Sequence, residues 1–84
     1  MNKKYNVQII VPLLYEKYDI LLPYNITIGE CILTLKRALN KMSKGCFNNI
    51  NNIYLYNCID GERYNLNSFI CDTTIKNGSI LVLC

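Results

Sequence analysis

At 84 residues the chain is a single domain near the small end of what folds unaided. With 51% apolar and 18% charged residues it can build one compact core and does not read as disordered. The net charge of +3 comes from scattered Lys and Arg rather than a dense basic stripe, which argues against nucleic acid as a partner.

Tyr5 to Val11 alternates, with Tyr5, Val7, Ile9 and Val11 on one side and Asn6, Gln8 and Ile10 on the other. Period two with β-branched residues predicts a half-buried strand, and Pro12 marks its margin because it lacks a backbone donor. Tyr18–Leu22 alternates again, Tyr18, Ile20 and Leu22 facing inward, and Pro23 closes it. An antiparallel hairpin through residues 13–17 is the economical way to pair the two.

Thr27-Ile28-Gly29-Glu30 reads as a capping box. Thr27 accepts from the Glu30 N–H, and the Glu30 carboxylate reaches back to the Thr27 N–H. Ile28, Ile32, Leu35, Leu39 and Met42 then recur at helical spacing, predicting a helix over about residues 28–44 that Gly45 ends, with Lys44 beside its negative pole. Lys36, Arg37, Lys41 and Lys44 make a basic helix surface, which is most simply a solvated face.

Phe47 and Ile50 are available to tuck under a polar connector over 48–52. Ile53–Tyr56 reads as the third strand, Ile53 and Leu55 inward and both tyrosines outward. Asp60-Gly61 fits a tight hairpin turn, with Glu62–Tyr64 a short fourth strand. That register would aim Asn57 into the core, so a looser turn over 57–61, or a bulge, is the open alternative. Leu66, Phe69 and Ile70 should anchor an irregular stretch to Thr74. Asn77-Gly78 tolerates left-handed backbone in a turn, and Ile80–Cys84 is the final strand, Leu81 and Leu83 inward.

Strand, strand, helix, strand, short strand, strand predicts an α+β fold: a mixed sheet of four to five strands wrapped on one helix, the first and last strands parallel at its centre. That is the β-grasp, as a single domain over 1–84. From Tyr64 onward the chain lies against ubiquitin without a gap. Ile70-Cys71-Asp72-Thr73-Thr74-Ile75 falls on its Leu-Ser-Asp-Tyr-Asn-Ile, and Thr27-Ile28 matches the start of its helix. The chain therefore resembles ubiquitin-like proteins over nearly its whole length. The Thr-x-Ile-x-Asn-Gly turn followed by a strand is most similar to the YukD and EsaB accessory proteins of Gram-positive type VII secretion.

That resemblance implies a non-covalent protein-interaction adaptor, whose partner is a cytosolic domain of the secretion membrane apparatus. The alternative is a stand-alone regulatory or dimerisation module unrelated to secretion. Ubiquitin's conjugation needs a mobile Gly-Gly tail, and this sequence ends on Cys84, so neither conjugation nor sulfur carriage is expected. Ubiquitin's partners mostly dock on the sheet face opposite the helix. The outward residues expected there are Ile10, Tyr54, Tyr56, Cys58 and Val82, with Leu13 in the adjoining hairpin loop; Gln8, Leu14 and Cys84 are further candidates. Strand propensity alone would also place tyrosines there, and a homodimer contact or cover from Phe47 and Ile50 are competing readings.

No catalytic residues, cofactor or metal are expected. There is no histidine, and the carboxylates are isolated in sequence. Cys31, Cys46, Cys58, Cys71 and Cys84 are an odd set with no C-x-x-C pair, so free thiols in a reducing cytosol are the simplest reading. With no leader and no apolar run near the ~18 residues that span a bilayer, a soluble cytoplasmic protein without membrane insertion is expected.

Overall fold

A computed structural model describes residues 4–42 and 52–84. Among the described residues four strands, β1 (Lys4–Val11), β2 (Glu16–Pro23), β3 (Leu55–Asn57) and β4 (Ile80–Leu83), accompany one α-helix, α1 (Ile28–Met42). The sheet order is β2-β1-β4-β3. β1 pairs antiparallel with β2 and parallel with β4, while β3 pairs antiparallel with β4. The first and last strands thus lie side by side at the centre, as the element order predicts.

Alternation decides which faces meet. Val7, Ile9 and Val11 of β1 and Leu81 and Leu83 of β4 are buried against Ile28, Cys31, Ile32, Leu35 and Leu39 of α1. Tyr5, Tyr18 and Ile20 pack at the margin of this core. Leu33, off the apolar stripe, is exposed. Cys31 joins the core, which the four-three spacing did not select. Gly45, Lys44, Phe47 and Ile50 lie outside the described residues, as does the Met42 side chain.

The β1–β2 connection is tighter than expected. Pairing continues to Val11 and Glu16, leaving Pro12–Leu14 as one 3-10 turn and Tyr15 in the left-handed region with φ 54°. Pro12 opens that turn because its missing N–H is not needed there. At the start of α1 the Glu30 N–H donates to Thr27 Oγ1 at 3.1 Å, as a capping box requires. The return bond differs: Glu30 Oε1 accepts from the Thr27 hydroxyl at 3.2 Å, not from its N–H. The other early amides are taken by the loop after β3, Ile28 N–H by the Ser68 carbonyl and Gly29 N–H by the Leu66 carbonyl.

That loop corrects several expectations. The third strand is Leu55–Asn57 rather than 53–56, although Ile53 and Leu55 are buried as predicted. The reversal spans Asn57 to Glu62, closed by Gly61 N–H to Asn57 O and Asn57 N–H to Glu62 O, both 2.8 Å. Within this reversal Gly61 alone has positive φ, so the tight two-residue turn at Asp60-Gly61 does not form, and the looser alternative holds. Asn57 escapes burial by accepting the Ile59 N–H on its own Oδ1. The short fourth strand shrinks to one bridge between Tyr56 and Arg63. Of the three expected anchors Ile70 is buried, but Leu66 and Phe69 are exposed, and Tyr64 joins Ile70 in holding the stretch. Tyr64 can be buried because its hydroxyl reaches Thr74 Oγ1 at 3.1 Å.

Candidate interaction face

β-Sheet register places directly opposed residues on the same face. Ile10 lies opposite Lys17 on one side and Val82 on the other. Val82 lies opposite Tyr56, and Tyr56 bridges to Arg63. Lys17, Ile10, Val82, Tyr56 and Arg63 therefore form one line across the face turned away from α1. Its middle is apolar and half-buried; its ends are exposed cations.

The flanking line at one side holds Tyr54 and Cys84. Their backbones exchange two bonds, Tyr54 N–H to Cys84 O at 3.0 Å and Cys84 N–H to Tyr54 O at 3.1 Å. The Arg63 guanidinium carbon sits 4.7 Å from the Tyr54 ring centroid, within cation–π range. On the other side Gln8 lies between Asp19 and Ile80.

Of the residues expected on this face, Ile10, Tyr56 and Val82 are brought into one line and Tyr54 beside it. Leu13 is 54% exposed at the hairpin tip, past the end of β1. Cys58 is exposed but begins the reversal after β3, its N–H bonded to Ile80 O at 3.1 Å, so it lies at the opposite end of the sheet from Leu13. The six do not make one continuous patch.

Lys17 and Arg63 were missed. Lys17 falls in the residues expected to be hairpin loop. Arg63 becomes the partner of Tyr56 only once the length of the 57–62 reversal is fixed, and alternation alone does not supply that length. Of the expected basic helix surface, Arg37 and Lys41 are exposed and Lys36 is half-buried, and Lys44 lies outside the described residues.

A second concavity was also missed. Between the edge strand β2 and α1 lies an apolar groove of about 470 Å³, whose lining includes Ile20, Leu22, Leu35, Ala38 and Leu39. Nothing in a one-dimensional pattern marks a gap between a sheet edge and a helix flank.

The thiols divide by environment. Cys31 is buried, and desolvation pushes its pKa up to about 12, so it stays protonated and inert at neutral pH. Cys58, Cys71 and Cys84 are free and exposed. Cys71 Sγ comes no closer than 3.9 Å to Asp72 Oδ1, a weak contact. Among the described residues no helix is long and apolar enough to cross a membrane.

No family model and no curated protein sequence matches the chain. Solved structures do. The EccD5 ubiquitin-like domain from Mycobacterium xenopi superposes with a TM-score of 0.79 at 16% identity, covering 98% of this chain and 93% of that one. The ubiquitin-like domain of the Mycobacterium tuberculosis type VII secretion system protein ECCD1 gives 0.74 at 16% identity, over 96% and 97% of the two chains. A chain of the MycP5-free ESX-5 inner membrane complex gives 0.77 at 12% identity, and there the match spans 96% of this chain but 20% of that one. At these identities the likeness is one of architecture: the chain has the ubiquitin-like β-grasp fold.

Proposed function

We propose that the chain is a non-covalent docking module of a type VII secretion system, binding a cytosolic domain of that system's membrane complex through the sheet face opposite α1. The observation that carries this reading is the line Lys17–Ile10–Val82–Tyr56–Arg63, an apolar centre bounded by cations. Half-buried aliphatic and tyrosine side chains give contact area at low entropy cost, and cations at the rim favour a partner whose rim is acidic. The secretion assignment is supported by the likeness to two EccD ubiquitin-like domains and to a chain of an ESX-5 membrane complex.

Tyr54→Ala combined with Val82→Asp tests it. Both positions are half-buried, so the double variant keeps the circular dichroism of the parent. It loses binding to the purified cytosolic domains of the secretion-system membrane proteins from the same genome, measured by titration calorimetry. Undiminished binding would move the docking surface elsewhere. A parent chain that binds none of those domains, yet sediments as a dimer that the same variant splits, would favour the stand-alone dimerisation reading.

A further inference from the structure

The turn before β4 holds a chemically labile pair that the fold has built into the sheet. Asn77-Gly78 is the one Asn-Gly step in the sequence. Glycine offers the least steric hindrance to attack by its own amide nitrogen on the preceding side-chain amide. Both residues are exposed, and a shallow concavity shared with Asn6, Gln8, Asp19 and Ile80 opens the site to water. Sequence and access alone mark Asn77 for spontaneous deamidation.

Two hydrogen bonds oppose it. The Gly78 N–H, the nucleophile's own proton, is donated to the Asn6 carbonyl at 2.8 Å. The Asn77 side-chain carbonyl Oδ1 accepts the Asn6 N–H at 2.9 Å. One residue of β1 therefore grips both the attacking nitrogen and the amide it would attack. The next bond along, Gln8 N–H to Ser79 O at 3.0 Å, continues the same β1–β4 ladder. The Asn77 side chain acts as an extra rung.

We propose that Asn77 is a deamidation site held shut by β1, which reacts only when the Asn6 end of that strand lifts off the turn. On opening, Gly78 nitrogen loses its proton to solvent and bonds to Asn77 Cγ. The Cγ–Nδ2 bond breaks and ammonia leaves, forming a succinimide. Water then adds to either imide carbonyl and opens the ring as aspartate or isoaspartate. The net change is one water in and one ammonia out, with no oxidation. An aspartate can still accept the Asn6 N–H, now with a negative charge. An isoaspartate lengthens the main chain by one carbon and misaligns Gly78 with Asn6, so that product leaves the end of β1 unpaired.

Peptide mapping by mass spectrometry of the full chain, aged at mildly alkaline pH, tests the proposal. The folded chain converts Asn77 at least about tenfold more slowly than the same chain in urea, since reaction must wait for local opening. Equal rates in the two states would overturn it. Asn6→Pro removes the donor to Oδ1; β2 does not use that N–H, and residue 5 is already extended. A folded Asn6→Pro chain keeps the Asn6 carbonyl bond to Gly78 but loses the bond to Oδ1, and converts Asn77 faster than the parent; a folded variant as slow as the parent would overturn the part of the clamp assigned to Oδ1. If the variant does not fold, the ratio between native and urea rates decides alone.

Discussion

Residues 4–42 and residues 52–79 both feed side chains into the core, by different means. The first region is built on period: alternation in β1 and β2, helical spacing in α1, and a side-chain cap between them. The second has one three-residue strand and is held by individually placed hydrogen bonds to its neighbours. Ile70 N–H reaches Ile26 O and Cys71 N–H reaches Tyr24 O, both at 2.9 Å. Asn57, Asp60 and Asn65 each take an amide two residues ahead. A periodic element can lose one rung and keep its neighbours. An irregular segment instead rests its few buried side chains on a scaffold of single bonds.

The sharpest way to break this comparison is to empty the core from each side. Ile9 in β1 and Ile70 in the loop are both fully buried. Ile9→Ala and Ile70→Ala should each cost about 2–5 kcal/mol in urea unfolding, because both leave a cavity in the same core. The two should differ in amide exchange. Ile9→Ala should lower protection across the whole sheet, while Ile70→Ala should first release the amides of Ile28, Gly29, Ile70 and Cys71, which join the loop to the start of α1 and to the segment just before it. Uniform loss of protection in both variants would mean the loop is as cooperative a unit as the sheet.

Much of the first region is legible in the sequence for the same reason that it is periodic. Val7, Ile9 and Val11 are buried where alternation puts them, and Thr27 caps α1 through the hydroxyl that its type and position announce. The second region defeats pattern reading because its determinants are not periodic. Leu66 and Phe69 look like anchors but are exposed. Tyr64 is interior because Thr74 meets its hydroxyl, a partner ten residues away that no local rule supplies. The candidate face divides along the same boundary. Ile10 and Val82 follow from alternation in regular strands, but Arg63 depends on how many residues the 57–62 reversal spends.

Thiol chemistry should show the difference in solvent access between the regions. Cys31, inside the periodic core, has its pKa raised by desolvation from 9.0, the ordinary value for an accessible thiol, to about 12. In the native state Cys58 and Cys71 should be alkylated while Cys31 stays unmodified, as read by peptide mapping. The sign of the pH effect follows from linkage. Above pH 9 the unfolded chain releases the Cys31 proton and the folded chain keeps it, so stability is full below that point and falls as pH rises toward 12. Cys31→Ala should flatten that part of the stability–pH curve, and an unchanged slope would assign it to other groups.

The smallest effects should come from the side-chain-to-backbone bonds of the second region. Asn57 Oδ1 holds the Ile59 N–H, and Asn65 Oδ1 holds the Asn67 N–H, each at 2.9 Å. Both bonds are exposed, so water can replace the lost acceptor. Asn57→Ala and Asn65→Ala should therefore cost no more than the ~0.5–1.5 kcal/mol net of an ordinary hydrogen bond. The consequence at the candidate face should be unequal, because the Asn57 turn sets the register that brings Arg63 beside Tyr56 and over the Tyr54 ring. Asn57→Ala should loosen that contact, visible as a shift of the Tyr54 ring protons by NMR. Asn65→Ala, which lines the same concavity as Tyr54 but lies outside that turn, should shift them less. Equal shifts from both variants would show that Arg63 is positioned by the loop as a whole and not by the one turn that precedes it.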